Sequence, residues 1–413
     1  MNDRTMENIK KEKKHSLPKG WEIKKLGDVL TIERGGSPRP IKKYLTDSSE
    51  GINWIKISDA TASNKYIYET KEKITREGLH KTRMVHEGDF LLSNSMSFGR
   101  PYIMRTSGCI HDGWLVLKQE GEKVFEIEYL YYLLSSPYLF EQFDSLAAGS
   151  TVRNLNIRLV SSVEVPVPPL PEQQRIVSIL DEAFAAIAKA KANAEQNLKN
   201  AKELFESYLQ GVFEKKGNGW EEKKLGEVYD VRDGTHDSPK YHNQGYPLVT
   251  SKNLKNHKLT FDNIKFISET DYLNINKRSK VDVGDVLFAM IGTIGNPVVI
   301  EDEPNYAIKN VALFKVGNNQ NSYFLKYFLD SKQTIEKMMR DAKGTTQKFV
   351  GLGYLRSFPI LVPPLKEQQT IVRQLDTLRI ETQKLESIYQ KKILLLEELK
   401  KSILQKAFSG ELN

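Results

Sequence analysis

Cysteine is nearly absent from this 413-residue sequence, in which Cys109 is the single example. One cysteine can form neither an intramolecular disulfide nor a cysteine zinc cage, which is typical of a protein kept in a reducing compartment. No run of about 18 apolar residues occurs, so the sequence predicts no transmembrane helix. Residues 1–16 form a basic tail that lacks the apolar stretch of a secretory signal, and we expect a cytoplasmic protein.

Recognisable metal and cofactor motifs are also missing. The seven histidines show no spacing typical of zinc ligands, so we predict no metal site. The segment Phe349–Gly353 resembles a cofactor-binding glycine turn, but no strand and helix of a βαβ unit flank it. The acidic triplet Glu301–Glu303 lacks the neighbouring strand of a nuclease, and Asp181–Phe184 lacks the phosphate loop of a helicase. We therefore predict that the chain is not an enzyme and binds no cofactor.

The sequence has the composition of a folded protein with a polyanionic partner. Hydrophobic residues make up 39% and charged residues 28%, with 18 Tyr and 17 Phe, which argues against disorder. The length favours two domains of ordinary size. A formal charge of +8 favours a polyanion, because binding releases phosphate counterions. Charge alone does not identify DNA, since many basic proteins bind no nucleic acid.

The chain contains two copies of one unit. Trp21–Gly27 recurs as Trp220–Gly226, and Val167–Gln174 recurs as Val362–Gln369. Shorter matches between them keep the same order, so coincidence is a poor explanation. At this point a duplicated scaffold without a binding role remains open.

Each copy divides into a globular part and a helical part. Residues 17–160 and 216–358 alternate short β-rich runs with Gly, Asn and Ser loops, which predicts two similar mixed α/β domains and an α+β protein overall. Residues 161–215 and 359–413 begin with a proline pair suited to a first helical turn and continue with a heptad pattern. The predicted seam contains Ile176, Leu180, Ala183, Ile187, Ala194, Ala201, Leu204, Ile371, Leu375, Leu378, Leu385, Leu396, Leu399 and Ile403.

The heptad pattern predicts two long antiparallel coiled-coil helices. A helix over residues 172–213 would be about 60 Å long, and the equivalent helix of the other copy is the obvious partner of matching length. Antiparallel packing would separate the two globular parts about an approximate two-fold axis. Asn197 and Lys392 occupy equivalent seam positions, where they either fix the register or lie at solvated edges; both interpretations stay open.

Taken together, these motifs resemble those of type I restriction-modification specificity subunits. The resemblance rests on the two Trp-Glu-x-Lys-Lys-Leu-Gly segments, the two Pro-Pro-Leu-x-Glu-Gln-Gln helix starts and the ending Ile403–Leu412. It implies two target recognition domains, each reading half of a bipartite, asymmetric site in double-stranded DNA. It also implies two methyltransferase subunits and restriction/translocase subunits as partners. S-adenosylmethionine, ATP and magnesium would belong to those partners.

Candidate DNA contacts are the polar side chains of equivalent loops. Arg, Lys, Asn and Gln offer the hydrogen bonds that read base edges, with Ser and Thr as weaker readers. Gly35, Gly36, Gly234 and Gly292 are interpreted as turn residues. The first domain supplies Ser37, Arg39, Lys42, Lys43, Ser58, Asn94, Ser95, Arg100, His111, Thr151 and Arg153. The second supplies Thr235, His236, Lys240, Ser251, Lys252, Asn253, Thr293, Lys309, Asn310, Thr346, Gln347 and Lys348.

Two other functions compete with this interpretation. One is the recognition subunit of a type II system, whose methyltransferase and nuclease share one partner chain; the neighbouring gene discriminates. The other is a coiled-coil spacer with two protein-binding heads, which predicts no salt-sensitive DNA binding.

Overall fold

The computed structural model describes residues 18–63, 65–94, 98–147, 154–214, 217–344 and 347–412. Two compact units divide the chain: unit 1 is Met1–Asn193 with Lys392–Asn413, and unit 2 is Ala194–Lys391. Each unit therefore combines one globular part with segments of both long helices. Within the described ranges, no helix is long and apolar enough to cross a membrane.

The globular part of unit 1 is built mainly from short strands. In chain order its elements are β1 (Glu22–Lys25), α1 (Leu26–Val29), β2 (Thr31–Arg34), β3 (Leu45–Thr46), β4 (Ile52–Ile55), α2 (Ile57–Thr61), β5 (Tyr66–Ile67), β6 (Glu72–Ile74), β7 (Arg83–Val85), β8 (Phe90–Ser93), β9 (Pro101–Met104), β10 (Gly108–Ile110), β11 (Trp114–Lys118), α3 (Ile127–Leu134), α4 (Pro137–Ala147), α5 (Ile157–Ser161) and β12 (Glu164–Val167), followed by the long helix α6 (Leu170–Glu214). Turns of 3₁₀ helix cover Ile41–Lys43 and Arg76–Lys81.

The globular part of unit 2 follows the same plan. Its elements are β13 (Glu221–Lys224), α7 (Leu225–Val228), β14 (Asp230–Asp233), β15 (Tyr246–Val249), β16 (Leu254–Lys255), β17 (Lys258–Leu259), β18 (Lys265–Ile267), α8 (Glu269–Ser279), β19 (Val286–Ala289), β20 (Gly295–Val299), β21 (Ala307–Ile308), β22 (Val311–Lys315), α9 (Ser322–Asp330), α10 (Lys332–Asp341), α11 (Leu352–Ser357) and β23 (Pro359–Val362), followed by the long helix α12 (Leu365–Ser409). A 3₁₀ turn covers Ser251–Asn253.

The sheets show that the sequence repeat is a repeat of topology. In unit 1 the strand orders are β2-β11-β8-β9-β5, β3-β6-β4-β10-β7 and β1-β12. In unit 2 the strand orders are β14-β22-β19-β20, β18-β15-β21 and β13-β23. They follow the same pattern as the sheets of unit 1, with fewer strands at the sheet edges. The repeated Trp-Glu-x-Lys-Lys segment supplies β1 and β13, which pair antiparallel with β12 and β23 immediately before the long helices. The motifs at the two ends of each copy are therefore neighbours.

Apolar residues of the central strands and of the long helices share one core in each unit. In unit 1, β8 is fully buried, and Leu92 lies in the same cluster as Leu180 of α6 and Phe408 of α12. In unit 2, Phe288 of β19 shares a cluster with Phe205 of α6 and Leu375 of α12. The long helices thus complete the cores of both globular parts.

The two long helices run antiparallel within each unit, as the heptad pattern predicts. In unit 1, Lys191 of α6 pairs with Glu397 of α12. In unit 2, Tyr208 Oη donates to Gln374 Oε1 at 3.2 Å, and Arg379 lies over the Phe205 ring. Higher residue numbers on α6 therefore meet lower numbers on α12.

The predicted seam is wrong at three positions. Leu204 is 51% exposed, Leu385 38% and Leu399 47%. After Ala201 the buried residues of α6 advance in steps of four, through Phe205, Leu209 and Phe213, because this end packs into the aromatic core of unit 2. On α12, Glu386 is less exposed than Leu385, whereas Leu399 and both of its chain neighbours are exposed. Asn197 and Lys392 are both exposed, which favours the solvated-edge interpretation of these residues.

A buried glutamine explains the Pro-Pro-Leu-x-Glu-Gln-Gln motif. Gln173 is fully buried; its Oε1 accepts from the Glu126 amide at 2.8 Å, and its Nε2 donates to the carbonyls of Val124 and Pro168, each at 2.9 Å. Gln368 makes a similar set of bonds: its Oε1 accepts from the Asn321 amide at 2.9 Å, and its Nε2 donates to Gln320 Oε1 at 2.8 Å and to the Pro363 carbonyl at 2.9 Å. Since each amide is saturated, it fixes the start of a long helix to its globular part.

Candidate nucleic-acid interface

Most predicted reading loops of unit 1 meet at one edge of its sheets. The carboxyl ends of β2 and β8 and the start of β11 lie at the same edge, because these strands are antiparallel neighbours. The parallel pair β4 and β10 ends at the neighbouring position. The loops that leave these strands supply the side chains of the surface that we call loop edge 1. It comprises Ser37, Arg39, Lys42, Lys56, Ser58, His111 and Asp112.

Unit 2 places equivalent loops at the equivalent edge. β14 and β19 end where β22 begins, and the parallel pair β15 and β21 ends beside them. We call this surface loop edge 2. It comprises Thr235, His236, Ser251, Lys252, Lys309 and Asn310, together with Asp233 and Arg278.

One glycine in each unit allows the two central loops to touch. A Cβ on Gly35 would lie 2.1 Å from the His111 carbonyl oxygen, and a Cβ on Gly234 would lie 2.3 Å from that of Ile308. The amide of Gly35 donates to Trp114 O at 3.0 Å, as Gly234 donates to Val311 O at 3.0 Å. These two glycines therefore serve close backbone approach rather than a turn with positive φ.

Loop edge 1 contains a cleft of about 630 Å³ with an apolar floor and a polar rim. Ile41, Trp54 and Ile57 contribute to the floor, while Arg39 and Lys42 stand at the rim. Two cations at the mouth of a partly apolar cleft suit a polyanion whose bases carry apolar groups.

Asp112 organises the rim of this cleft. Its Oδ1 accepts from Ser37 Oγ at 2.7 Å, and its Oδ2 lies 3.5 Å from Arg39 Nη2. The Ser37 hydrogen bond holds the pKa of the Asp112 carboxyl below its usual range. Asp112 was not predicted from the sequence, because an isolated aspartate after His111 carries no signal of its partners 75 residues earlier.

His111 contributes an uncharged imidazole ring to loop edge 1. Burial lowers its pKa and outweighs the neighbouring Asp112 carboxylate, which acts in the opposite direction. Nδ1 accepts from the Gly113 amide at 2.9 Å, which leaves the proton on Nε2. The ring lies between Trp54 and Trp114, with centroids 6.1 and 6.2 Å away. His111 is thus positioned to offer one hydrogen-bond donor without a charge.

In loop edge 2 the two central loops are also joined by side-chain hydrogen bonds, but the side chains are different. His236 Nδ1 lies 2.8 Å from Asn310 Oδ1, and His236 Nε2 lies 2.7 Å from Asp233 Oδ2. Asp233 is only 4% exposed and also pairs with Arg278. Lys309 Nζ donates to Ser238 Oγ at 2.6 Å, which holds the loop after β14. Neither Asp233 nor Arg278 was predicted, because Arg278 reaches the edge from α8, 45 residues along the chain.

Two predicted contacts are interior residues with structural bonds. Asn94 is 1% exposed and donates to Asp112 O at 2.8 Å. Asn253 is 5% exposed; its Oδ1 accepts from the Thr250 amide at 3.0 Å and its Nδ2 donates to Thr260 O at 3.0 Å. Both asparagines shape the loops rather than offer an amide to solvent.

The other predicted contacts are exposed or lie outside the described residues. Arg100 lies over the Tyr102 ring at 5.4 Å, and Lys348 Nζ donates to Met339 O at 3.3 Å. The remaining exposed residues are Lys43, Lys240, Thr293 and Gln347. The predictions for Ser95, Thr151, Arg153 and Thr346 fall outside the described residues.

The described parts of the chain contain no group of three or more His, Cys, Asp or Glu arranged to hold a metal. Cys109 is buried, and burial raises the pKa of its thiol, so this sulfur is poorly nucleophilic. Asp181, from the helicase-like acidic segment, lies on α6 and accepts from Tyr132 Oη. This part of the sequence is helix, in agreement with the heptad interpretation.

A duplicated α+β fold with basic, polar loop edges and a helical framework defines a binding protein of the DNA-reading class. The model of the type I restriction modification DNA specificity domain matches residues 18–199 and 217–394. Since these matches cover most of the chain, the protein belongs to this family and is a specificity subunit, the non-catalytic component of such systems. The family binds DNA and assembles with other subunits of the restriction-modification system.

Similar proteins agree over nearly the full length. The specificity subunit of the type I restriction enzyme MjaVIII of Methanocaldococcus jannaschii is 25% identical, over 98% of this chain and 96% of that protein. The corresponding subunit of EcoKI from Escherichia coli K12 is 22% identical, over 96% and 90%. The crystal structure of the HsdS subunit from Thermoanaerobacter tengcongensis has a TM-score of 0.68 at 21% identity, covering 97% of this chain and all of that one. These matches favour the type I interpretation over the two alternatives.

Proposed function

We propose that the chain reads a bipartite, asymmetric site in double-stranded DNA, with loop edge 1 on one half-site and loop edge 2 on the other. The single observation that carries this proposal is the equivalence of the two edges. The same strand ends present different side chains, so Ser37 and Asp112 stand where His236 and Asn310 stand. Different donors and acceptors on one scaffold suit two different half-sites in the same orientation.

The division of labour follows the sequence repeat. We assign residues 17–160 and 216–358 to the two target recognition domains, residues 161–215 and 359–413 to the spacer helices, and residues 1–16 to a basic tail. Catalysis would come from partners: two methyltransferase subunits using S-adenosylmethionine, and restriction/translocase subunits using ATP and magnesium. All of these activities suit the cytoplasm, where the chromosome is accessible.

The spacer helices are the proposed docking site for the methyltransferase subunits. α12 carries large apolar side chains that face solvent, among them Ile388 at 58%, Leu394 at 67% and Leu395 at 57% exposed. Three such residues on one helix exceed the scattered apolar exposure of an ordinary surface. A protein partner that covers them would remove this area from water.

Replacing a loop tests the half-site assignment. Substituting residues 235–240 should change sequence preference in one half-site only, and substituting residues 37–42 should change the other half-site only. The readout is the set of methylated adenines when the full chain is expressed with its methyltransferase subunits. Either substitution altering both half-sites would refute the assignment.

Binding of the protein to DNA should weaken steeply between 50 and 200 mM salt, as about 6–10 phosphate contacts require.

Shortening the helices tests their role as a spacer. Residues 185–191 of α6 and 393–399 of α12 face each other within unit 1, where Lys191 pairs with Glu397. Deleting both segments removes one heptad from each helix, about 10 Å. The recognised DNA should then lose about three unread base pairs between unchanged half-sites. An unaltered spacing would contradict the spacer role.

A further inference from the structure

The side chains predicted to read DNA at loop edge 2 are largely occupied within the protein. His236 uses both ring nitrogens, one toward Asp233 and one toward Asn310. Lys309 Nζ is bound to Ser238 Oγ at 2.6 Å, and Ser251 Oγ donates to the Asn310 carbonyl at 3.1 Å. A side chain that already has its partners must break a bond to read a base. These residues therefore hold the loops of loop edge 2 together, and each would have to exchange a bond in order to contact a base.

Arg278 is the cation at this edge that is anchored yet open to solvent. Its Nη2 pairs with Oδ1 of Asp233, while 66% of its side chain is exposed. Its backbone is also held, since Arg232 Nη1 donates to the Arg278 carbonyl at 3.2 Å. In the described part of the chain, the guanidinium has no other hydrogen bond or ion pair. Most of its five N–H donors thus stay available.

Asp233 has the properties of a positioning residue. It is the last residue of β14, is 4% exposed, and divides its two oxygens between Arg278 and His236. A buried carboxylate that holds the guanidinium in place also reduces the conformational freedom that the arginine loses on binding.

We infer that Arg278, held by Asp233, reads a guanine in the half-site bound by unit 2. Guanine presents two acceptors, O6 and N7, on its major-groove edge, and a guanidinium matches both at once. Arg278 lines a cleft of about 300 Å³ with Thr235 and Ser238, so the guanidinium stands beside the loop that follows β14. This inference rests on the proposed function and adds the base and the residue that reads it.

Unit 1 provides a matched control. Arg83 of β7 pairs with Glu33 of β2 at 3.0 Å, and its side chain is 45% exposed. The arginine thus pairs with a carboxylate on the strand equivalent to β14. A variant of Arg83 changes the same chemistry without touching loop edge 2.

The test uses the full chain with its methyltransferase subunits and duplexes that carry the mapped target. Replacing one guanine at a time by 7-deazaguanine removes N7 alone. For the unmodified protein, one such replacement in the half-site of unit 2 should weaken binding about tenfold or more. R278Q removes the contacts to both O6 and N7, so it should bind the natural site at least that weakly and lose no further affinity on the modified duplex. R83Q should keep the full sensitivity.

Two further variants keep the inference falsifiable if R278Q folds poorly. R278K keeps the charge but not the rigid two-pronged donor, so it should be less sensitive to 7-deazaguanine than the unmodified protein. D233N should lower that sensitivity without abolishing DNA binding. A half-site without guanine, or R278K and R278Q that remain as sensitive as the unmodified protein, would overturn the inference. Absence of any bipartite methylated site would instead refute the proposed function.

Discussion

The two units share a scaffold but differ in how they use it. Both join the same two loops through a glycine that admits a neighbouring carbonyl, and both fix a long helix through a buried glutamine. At the loop edges the likeness ends. Unit 1 offers a cleft of about 630 Å³ with an apolar floor, whereas unit 2 offers an ion-paired network around Asp233. Duplication therefore preserved the backbone that presents side chains and left the side chains free to diverge.

The largest expected effects come from the buried glutamines, which test whether each globular part depends on its own anchor. Gln173→Leu leaves the Glu126 amide and two carbonyls without partners, whereas Gln368→Leu removes the partner of the Asn321 amide, the Gln320 side-chain oxygen and the Pro363 carbonyl. Each change should lower the free energy of unfolding by about 2–4 kcal/mol. Hydrogen exchange should locate the loss in unit 1 for Gln173 and in unit 2 for Gln368.

The exposed neighbour Gln369 is the control for these variants. Gln369→Leu should change the free energy of unfolding by less than about 0.5 kcal/mol. If Gln173→Leu loosened both units equally, the anchors would not be specific to one unit.

The close-approach glycines come next. Gly35→Ala and Gly234→Ala place a methyl group 2.1 and 2.3 Å from a carbonyl oxygen, so the loops must separate. We expect a loss of about 1–3 kcal/mol in each case and weaker binding to one half-site, measured by thermal unfolding and DNA titration. Gly351→Ala, which meets nothing within 4 Å, serves as the control. Equal effects at Gly351 would show that loop contact is not the cause.

The smallest effect concerns pH, since each unit contains one histidine whose pKa is lowered by burial, His111 in unit 1 and His257 in unit 2. The unfolded chain, with histidine near pKa 6.5, takes up protons that the folded rings resist. Their stabilisation is therefore complete above about pH 6.5 and is lost as the pH falls toward the lowered folded values.

Comparing variants at two pH values checks this linkage. The melting temperature should fall less between pH 7.5 and 5.5 in His111→Gln and His257→Gln than in the parent protein. A parent protein equally stable at both pH values would contradict the assignment of neutral buried rings.

The sequence by itself determined the duplication, the long antiparallel helices and the loops that carry the candidate site. These features are visible in sequence because they repeat, either along the chain or around a helix. The heptad pattern fails at Leu204, where the packing partner changes from a helix to the aromatic core of unit 2. A periodic pattern predicts contact with one continuous packing partner, so it cannot show where along the helix that partner changes.

Only the tertiary structure decided which polar side chains are available and which are used internally. Asn94 and Asn253 have the chemistry of base readers, yet both are buried in loop-shaping bonds. Arg278 reaches loop edge 2 because α8 and β14 lie side by side, although 45 residues separate it from Asp233. Hydrogen bonds depend on distances of about 3 Å, and chain folding sets those distances independently of separation in sequence.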